Sequence, residues 1–145
     1  MSEENKALVR RVIEEGWNKH NLAVVDEFFA DCVYYSPATG ELKGEALKQF
    51  VASLAAAFPD RRVTIEDQVA EGDKVVTCWS CTGTYQGEFM GLAPTCKQFT
   101  KSGIVISRIV EGKVVEERVE FDTLGFFQQL GALPPLGKAE DKAAA

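Results

Sequence analysis

The acids best placed to do chemistry sit close together near the end of the chain, in "KVVEERVEFD" (Lys113 to Asp122). Read as a strand, whose side chains alternate between two faces, the segment sorts into two sets. Val115, Glu117, Val119 and Phe121 fall on one side, and Val114, Glu116, Arg118 and Glu120 on the other. The first set is the more apolar, so it is expected to face inward and to take Glu117 with it. Asp122 follows at the turn into "TLGFF". A carboxyl group held against apolar walls has a raised pKa, which suits it to move a proton near neutral pH. Each acid also has a plainer reading. Asp122 precedes a short helix and could cap it by accepting a backbone N–H. Glu117 could be a rim carboxylate paired with a base.

Other candidates are scattered along the chain. Lys101 shares a strand face with Gly103, Val105 and Ser107. Turned inward, its ammonium is a partner for Glu117 or for an anionic enolate; turned outward, it is a solvated charge on a dimer rim. Tyr35, in "VYYSP", could hydrogen-bond a substrate oxygen, although a tyrosine is a poor base at neutral pH; ordinary packing by Tyr34 or Tyr35 is the alternative. Trp17 and Trp79 are expected to face the interior, as core or as cavity wall with a polar N–H. His20, the single histidine, falls in the turn "NKHN" and reads as a solvated loop residue. The Cys78-x-x-Cys81 spacing invites a metal or redox reading. In a strand, however, residues three apart point to opposite faces, so the pair reads as inert and no metal is expected.

The elements that must position these groups follow from periodicity. Leu8, Val9, Val12, Ile13 and Trp17 recur at helical spacing between about Glu3 and Lys19. A short helix is expected from about Leu22 to Phe29, and a third from Gly44 to Ala57 with Leu47, Phe50, Val51, Leu54 and Phe58 as its buried stripe. Beyond Pro59 the pattern alternates, giving strand pairs joined at "EGDK" and "VEGK". "TLGFFQQLG" closes the fold as a short helix. Helices followed by a meander predict an α+β domain over residues 1–131, a curved antiparallel sheet wrapped as a cone around three N-terminal helices with an apolar cavity at its wide end. The segment 132–145 is expected to be a flexible tail.

Composition sets outer limits. The chain has 145 residues, a net charge of −6 and a sequence pI near 4.9. An acidic chain without a basic stripe is a poor fit to nucleic acid or to an anionic membrane surface. No apolar run approaches the ~20 residues of a spanning helix, and the charged start "MSEENKALVRR" reads as a helix rather than a leader, so a cytoplasmic protein is expected.

Three segments, "NKALVRRVIEEGWNKHN", "GTYQGEFMGLAPTCK" and "SRIVEGKVVEERVEFDTLGFFQQLG", together resemble the SnoaL-like polyketide cyclase group of the nuclear-transport-factor-2-like superfamily. The resemblance runs from about Asn5 to Gly131. It implies a cone-shaped α+β barrel, usually a homodimer, with an apolar cavity and no metal. It also implies that Phe89, Met90 and Leu92 lie near the cavity mouth, which would account for apolar residues in a loop. Two positions depart from the cyclase pattern: Val119 stands where the cyclases carry an acid/base aspartate, and Val105 where they carry a histidine. Tyr35 and Ser36 occupy the place of a His-Asp pair found in many relatives, and Asp122 matches an aspartate common in the wider family.

The expected wall of the cavity is therefore Trp17, Tyr35, Trp79, Tyr85, Phe89, Met90, Lys101, Val105, Val119 and Phe121, with Asp122 or Glu117 as the proton-transfer group. The expected function is a cofactor-independent cyclase-like or isomerase-like enzyme acting on a small apolar carbonyl compound. The alternative is a hydrophobic-ligand-binding protein without turnover. An epoxide-hydrolase-like reading ranks below both, because it needs an Asp-Arg-Asp cluster and alternation points Arg118 away from Glu117.

Overall fold

A computed structural model describes residues 2–134. The tail expected beyond Gly131 lies, from residue 135 on, outside the described residues.

The N-terminal helical pattern forms in two pieces. The α-helix α1 (Ser2–Arg11) runs directly into a π-helical turn, Val12–Asn18. Such wide turns carry one extra residue per turn and recur at functional sites; here Trp17 lies near its end. Then come α2 (Ala23–Phe28), strands β1 (Val33–Ser36) and β2 (Gly40–Lys43), and α3 (Gly44–Ala57). The meander is β3 (Arg62–Glu71), β4 (Lys74–Thr84), β5 (Gln98–Val110) and β6 (Lys113–Phe121). Helix α4 (Thr123–Leu130) ends on Gly131, whose φ of 83° suits a residue without Cβ.

The six strands form one curved, unclosed sheet in the order β2-β1-β6-β5-β4-β3. All neighbours are antiparallel except β1 and β6, which run parallel. The curved antiparallel sheet expected from the sequence is present, with that one parallel pair as its exception. The connection between them includes α3 and the whole β3–β5 meander, ample length for the crossover that a parallel pair requires.

Two bulges bend the sheet, one between Ile65 and Asp67 on β3 and one opposite Arg108 and Ile109. The second revises the reading of β6. Arg108 pairs with Glu116 and Ile109 with Val114, so Val115 is the extra residue. Downstream of it, Glu117, Val119 and Phe121 face inward as alternation predicts. Upstream, the phase flips: Val114, not Val115, enters the core, at 1% exposure.

The sheet's inner face packs on two apolar groups. Val9, Val12, Ile13, Val25, Leu47 and Val51 of the helices meet Val75, Ile109 and Val114. At the other end Phe58, Tyr85, Phe89, Phe99, Phe126 and Leu130 pack together. Phe58 lies 5.2 Å from both Phe89 and Phe99, and Phe99 lies 5.0 Å from Phe126, all edge to face. α4 thus plugs this end of the sheet. On β4, Cys81 belongs to this inner group while half-buried Cys78 has the opposite parity, so the two thiols point apart.

Candidate functional site

Strand register lines the inner face in successive rows. In the first, Tyr34 of β1 pairs with Glu117 of β6, which pairs with Ser107 of β5, which pairs with Val75 of β4. The second row is Val119, Val105 and Thr77; the third, Phe121, Gly103 and Trp79; the fourth, Lys101, Cys81 and Val63. Between these rows and the helices lies a cavity of about 110 Å³. A single water needs only about 10–15 Å³ of such space, so the room is that of a small organic molecule. Most of its wall is apolar or aromatic, including Trp17, Phe50, Trp79, Phe89, Phe121 and Phe126.

Glu117 lies on this wall at 6% exposure. Its Oε2 accepts a hydrogen bond from Ser107 Oγ at 2.7 Å. Burial pushes its carboxyl up from 4.5 to about 7, because the charged form loses water; the Ser107 bond offsets part of that rise. Beside it, burial and the Glu117 charge drive the Tyr34 phenol well above its ordinary range, so Tyr34 stays protonated and can donate. Val105 and Val119 follow, both on the wall and both inert toward protons.

The third row depends on a missing side chain. A Cβ on Gly103 would stand 2.5 Å from Trp79 Cζ2 and 2.6 Å from the Glu120 carbonyl oxygen, so the indole packs directly on the glycine. In the fourth row Lys101 points inward, which excludes the rim alternative. Its Nζ sits 4.0 Å from the centre of the Phe126 ring and 4.4 Å from that of Phe121. Burial lowers its pKa to about 8.

Arg61, absent from the sequence expectations, joins this end of the cavity. It precedes β3 and is only 6% exposed. Its Nη2 donates to the Trp17 carbonyl at 2.8 Å, and its guanidinium carbon lies 5.2 Å from the centre of the Trp17 ring. Its Nε is buried without a partner among the described residues. The signal that could have found it is parity: Arg61 shares the face of Val63 and Ile65.

Several expected wall residues are placed elsewhere. Tyr35 faces out of the sheet, under the exposed Arg118, whose guanidinium carbon is 4.3 Å from the ring centre; Tyr34 takes the inward position instead. Arg118 also reaches Glu116 at 3.6 Å on that outer side, so it forms no cluster with cavity acids. Tyr85 is fully buried but off the cavity wall, and its hydroxyl donates to the Leu92 carbonyl. That bond pins the apolar loop. Phe89 and Leu92 exchange backbone hydrogen bonds around Met90 and Gly91, both with positive φ (52° and 78°), the geometry of a tight primed turn. Phe89 is folded inward onto Phe58, while Met90, at the tip, is 50% exposed. Asp122 is not a wall residue: its Oδ1 accepts from Gly125 N at 2.9 Å, capping α4. His20 Nε2 meets the Pro59 carbonyl oxygen at 3.0 Å and is away from the cavity wall.

Comparison with known proteins is consistent along the chain. A model of the SnoaL-like polyketide cyclase family matches residues 7–130. Over 130 residues the chain is 32% identical to the aklanonic acid methyl ester cyclase DnrD of Streptomyces peucetius, covering 86% of this chain and 88% of that one. Among solved structures, AclR of Streptomyces galilaeus, a proposed hydroxylase, superposes with a TM-score of 0.81 at 30% identity, covering 100% of this chain and 96% of that one. A proposed SnoaL-like polyketide cyclase from Jannaschia sp. CCS1 gives 0.83 at 26% identity, with 92% and 95% covered.

Proposed function

The chain belongs to the SnoaL-like polyketide cyclase family, and on that premise we propose that it is a cofactor-independent cyclase of a carbonyl compound, with Glu117 as its proton-transfer group. The observation that carries this reading is a carboxyl on an apolar cavity wall, hydrogen-bonded to Ser107 and poised near pH 7. The Glu117 carboxylate takes a proton from the carbon α to a carbonyl. The Tyr34 hydroxyl donates to the resulting enolate oxygen, where charge develops. The enolate carbon attacks a second carbonyl of the same molecule, forming one C–C bond. The new alkoxide takes the proton back from Glu117, so the product is an isomer of the substrate and no redox partner is consumed.

Aklanonic acid methyl ester, the compound in DnrD's name, is the first substrate to offer. Purified protein should consume it with formation of an isomer of equal mass, and Glu117→Gln should cost at least ~100-fold in turnover. Unchanged turnover in that variant overturns the assignment of Glu117. A binder without turnover is the second reading, favoured by Val105 and Val119 in mid-cavity; tight binding of the ester with no isomer formed supports it. We further propose a homodimer through the outer face of the sheet, where Val69, Ile104 and Ile106 are 60%, 48% and 38% exposed. A clean monomer in analytical ultracentrifugation at tens of micromolar would count against it.

A further inference from the structure

Arg61 and Lys101 present two cations to one cavity, and the described residues supply neither with a counter-ion. Buried charges are normally paired, because desolvation is otherwise uncompensated. The acid nearest in sequence is turned away: both oxygens of Asp60 are held by Thr84, at 2.8 Å from its N and 2.7 Å from its Oγ1. The remaining acid on the wall, Glu117, stands three rows from Lys101 in the sheet and forms no ion pair with either cation among the described residues. The Arg61 charge adds to the lowering of the Lys101 pKa, and both cations lie near Cys81, whose thiol burial keeps protonated. Nor is the pair explained by packing. Arg61 spends Nη2 on the Trp17 carbonyl but leaves a buried Nε–H unpartnered. Among the described residues, four aromatic rings face the Lys101 ammonium and no acid pairs with it.

We infer that this end of the cavity is an anion site: Arg61 and Lys101 receive an anionic oxygen, a carboxylate or an ionised phenol or enol, borne by a planar ring that stacks among Trp17, Trp79, Phe121 and Phe126. The inference rests on reading the cavity as the substrate site and adds that the substrate is bipolar. Its anionic group docks at the Lys101 end, and its reacting carbonyl lies toward Glu117. A neutral apolar compound would leave both cations uncompensated.

The test is binding, and so is independent of turnover. 1-Naphthoate and methyl 1-naphthoate share a ring system and differ in charge; each is titrated at pH 7 against the quench of Trp17 and Trp79 fluorescence. The acid should bind the parent at least ~10-fold more tightly than the ester, the size of one charge-assisted hydrogen bond. Lys101→Met keeps the length of the side chain among the same rings and should abolish that preference while leaving ester affinity within about threefold. Arg61→Lys, which keeps charge but loses the fork, should weaken the acid alone. Circular dichroism establishes that both variants are folded. If acid and ester bind equally to the parent, or the preference survives in both variants, the anion site is wrong while the cavity reading stands. If neither compound binds, both fall together.

Discussion

Replacing Glu117 by glutamine should make the protein more stable, and only above a defined pH. The folded carboxyl titrates at about 7 against an ordinary 4.5. Between those values the folded state holds a proton that the unfolded chain has released, so stability falls as pH rises through that window and stays lowered above it. The difference, about 2.5 pH units at about 1.4 kcal/mol each, amounts to about 3 kcal/mol. Glutamine keeps an acceptor for Ser107 Oγ and carries no charge, so its advantage should be near zero at pH 4.5 and reach about 3 kcal/mol at pH 8. For a domain of this size that corresponds to roughly 6–12 °C in Tm. Urea unfolding of parent and variant, followed by tryptophan fluorescence at half-unit steps from pH 4.5 to 8.5, gives the comparison. Because the two proteins share every other titrating group, subtraction isolates Glu117. A flat difference across the window would refute the reasoning: Glu117 would then be hydrated in solution, and the case for it as a base near neutrality would fail with it.

Other expectations are simpler. Turnover of the parent should rise with pH through about 7 as Glu117 ionises; a profile flat from pH 5.5 to 8.5 would exclude it as the base. Asp122→Ala should cost about 1 kcal/mol in thermal unfolding by removing the α4 cap, with Asp122→Asn costing less, and turnover per folded molecule should not change. Gly103→Ala should drive the Trp79 indole off its seat, lowering stability by about 1–3 kcal/mol and shifting tryptophan emission. Tyr34→Phe should lower kcat by about 10²-fold with little effect on KM if its hydroxyl steadies the enolate.

Several features of the fold and site could be read directly from residue order. Alternation placed Glu117, Val119 and Phe121 on one inward face because β6 is regular from Glu117 onward. It failed at Val115 because a bulge is set by pairing with β5, which the strand's own sequence does not record. Tyr34 and Tyr35 are chemically alike neighbours, so a four-residue strand offers too few positions to decide its phase; the partner β6 decides it. Lys101 was ambiguous for a different reason. A lysine facing inward violates the expectation that charge seeks water, and only the ring of aromatics contributed by β4, β6 and α4 makes its placement intelligible. Of the apolar loop residues, Phe89 goes in and Met90 out because a tight turn at Met90–Gly91 must project its tip.

The extra residue in β6 gives that strand two independent phases. Val114, ahead of it, is buried among the helices where the cavity wall begins; Glu117, Val119 and Phe121, behind it, carry that wall onward. Loss or gain of one residue at this point leaves the core half in register while rotating the cavity half. The rotated strand would present Glu116, Arg118 and Glu120 to the interior in place of one acid, a valine and a phenylalanine. A second, highly charged lining is thus already encoded on the outside of the same strand. The lining of this cavity can therefore change through a single-residue change in length as well as through substitution, with the bulge acting as the joint that lets the reactive surface change while the scaffold stays fixed.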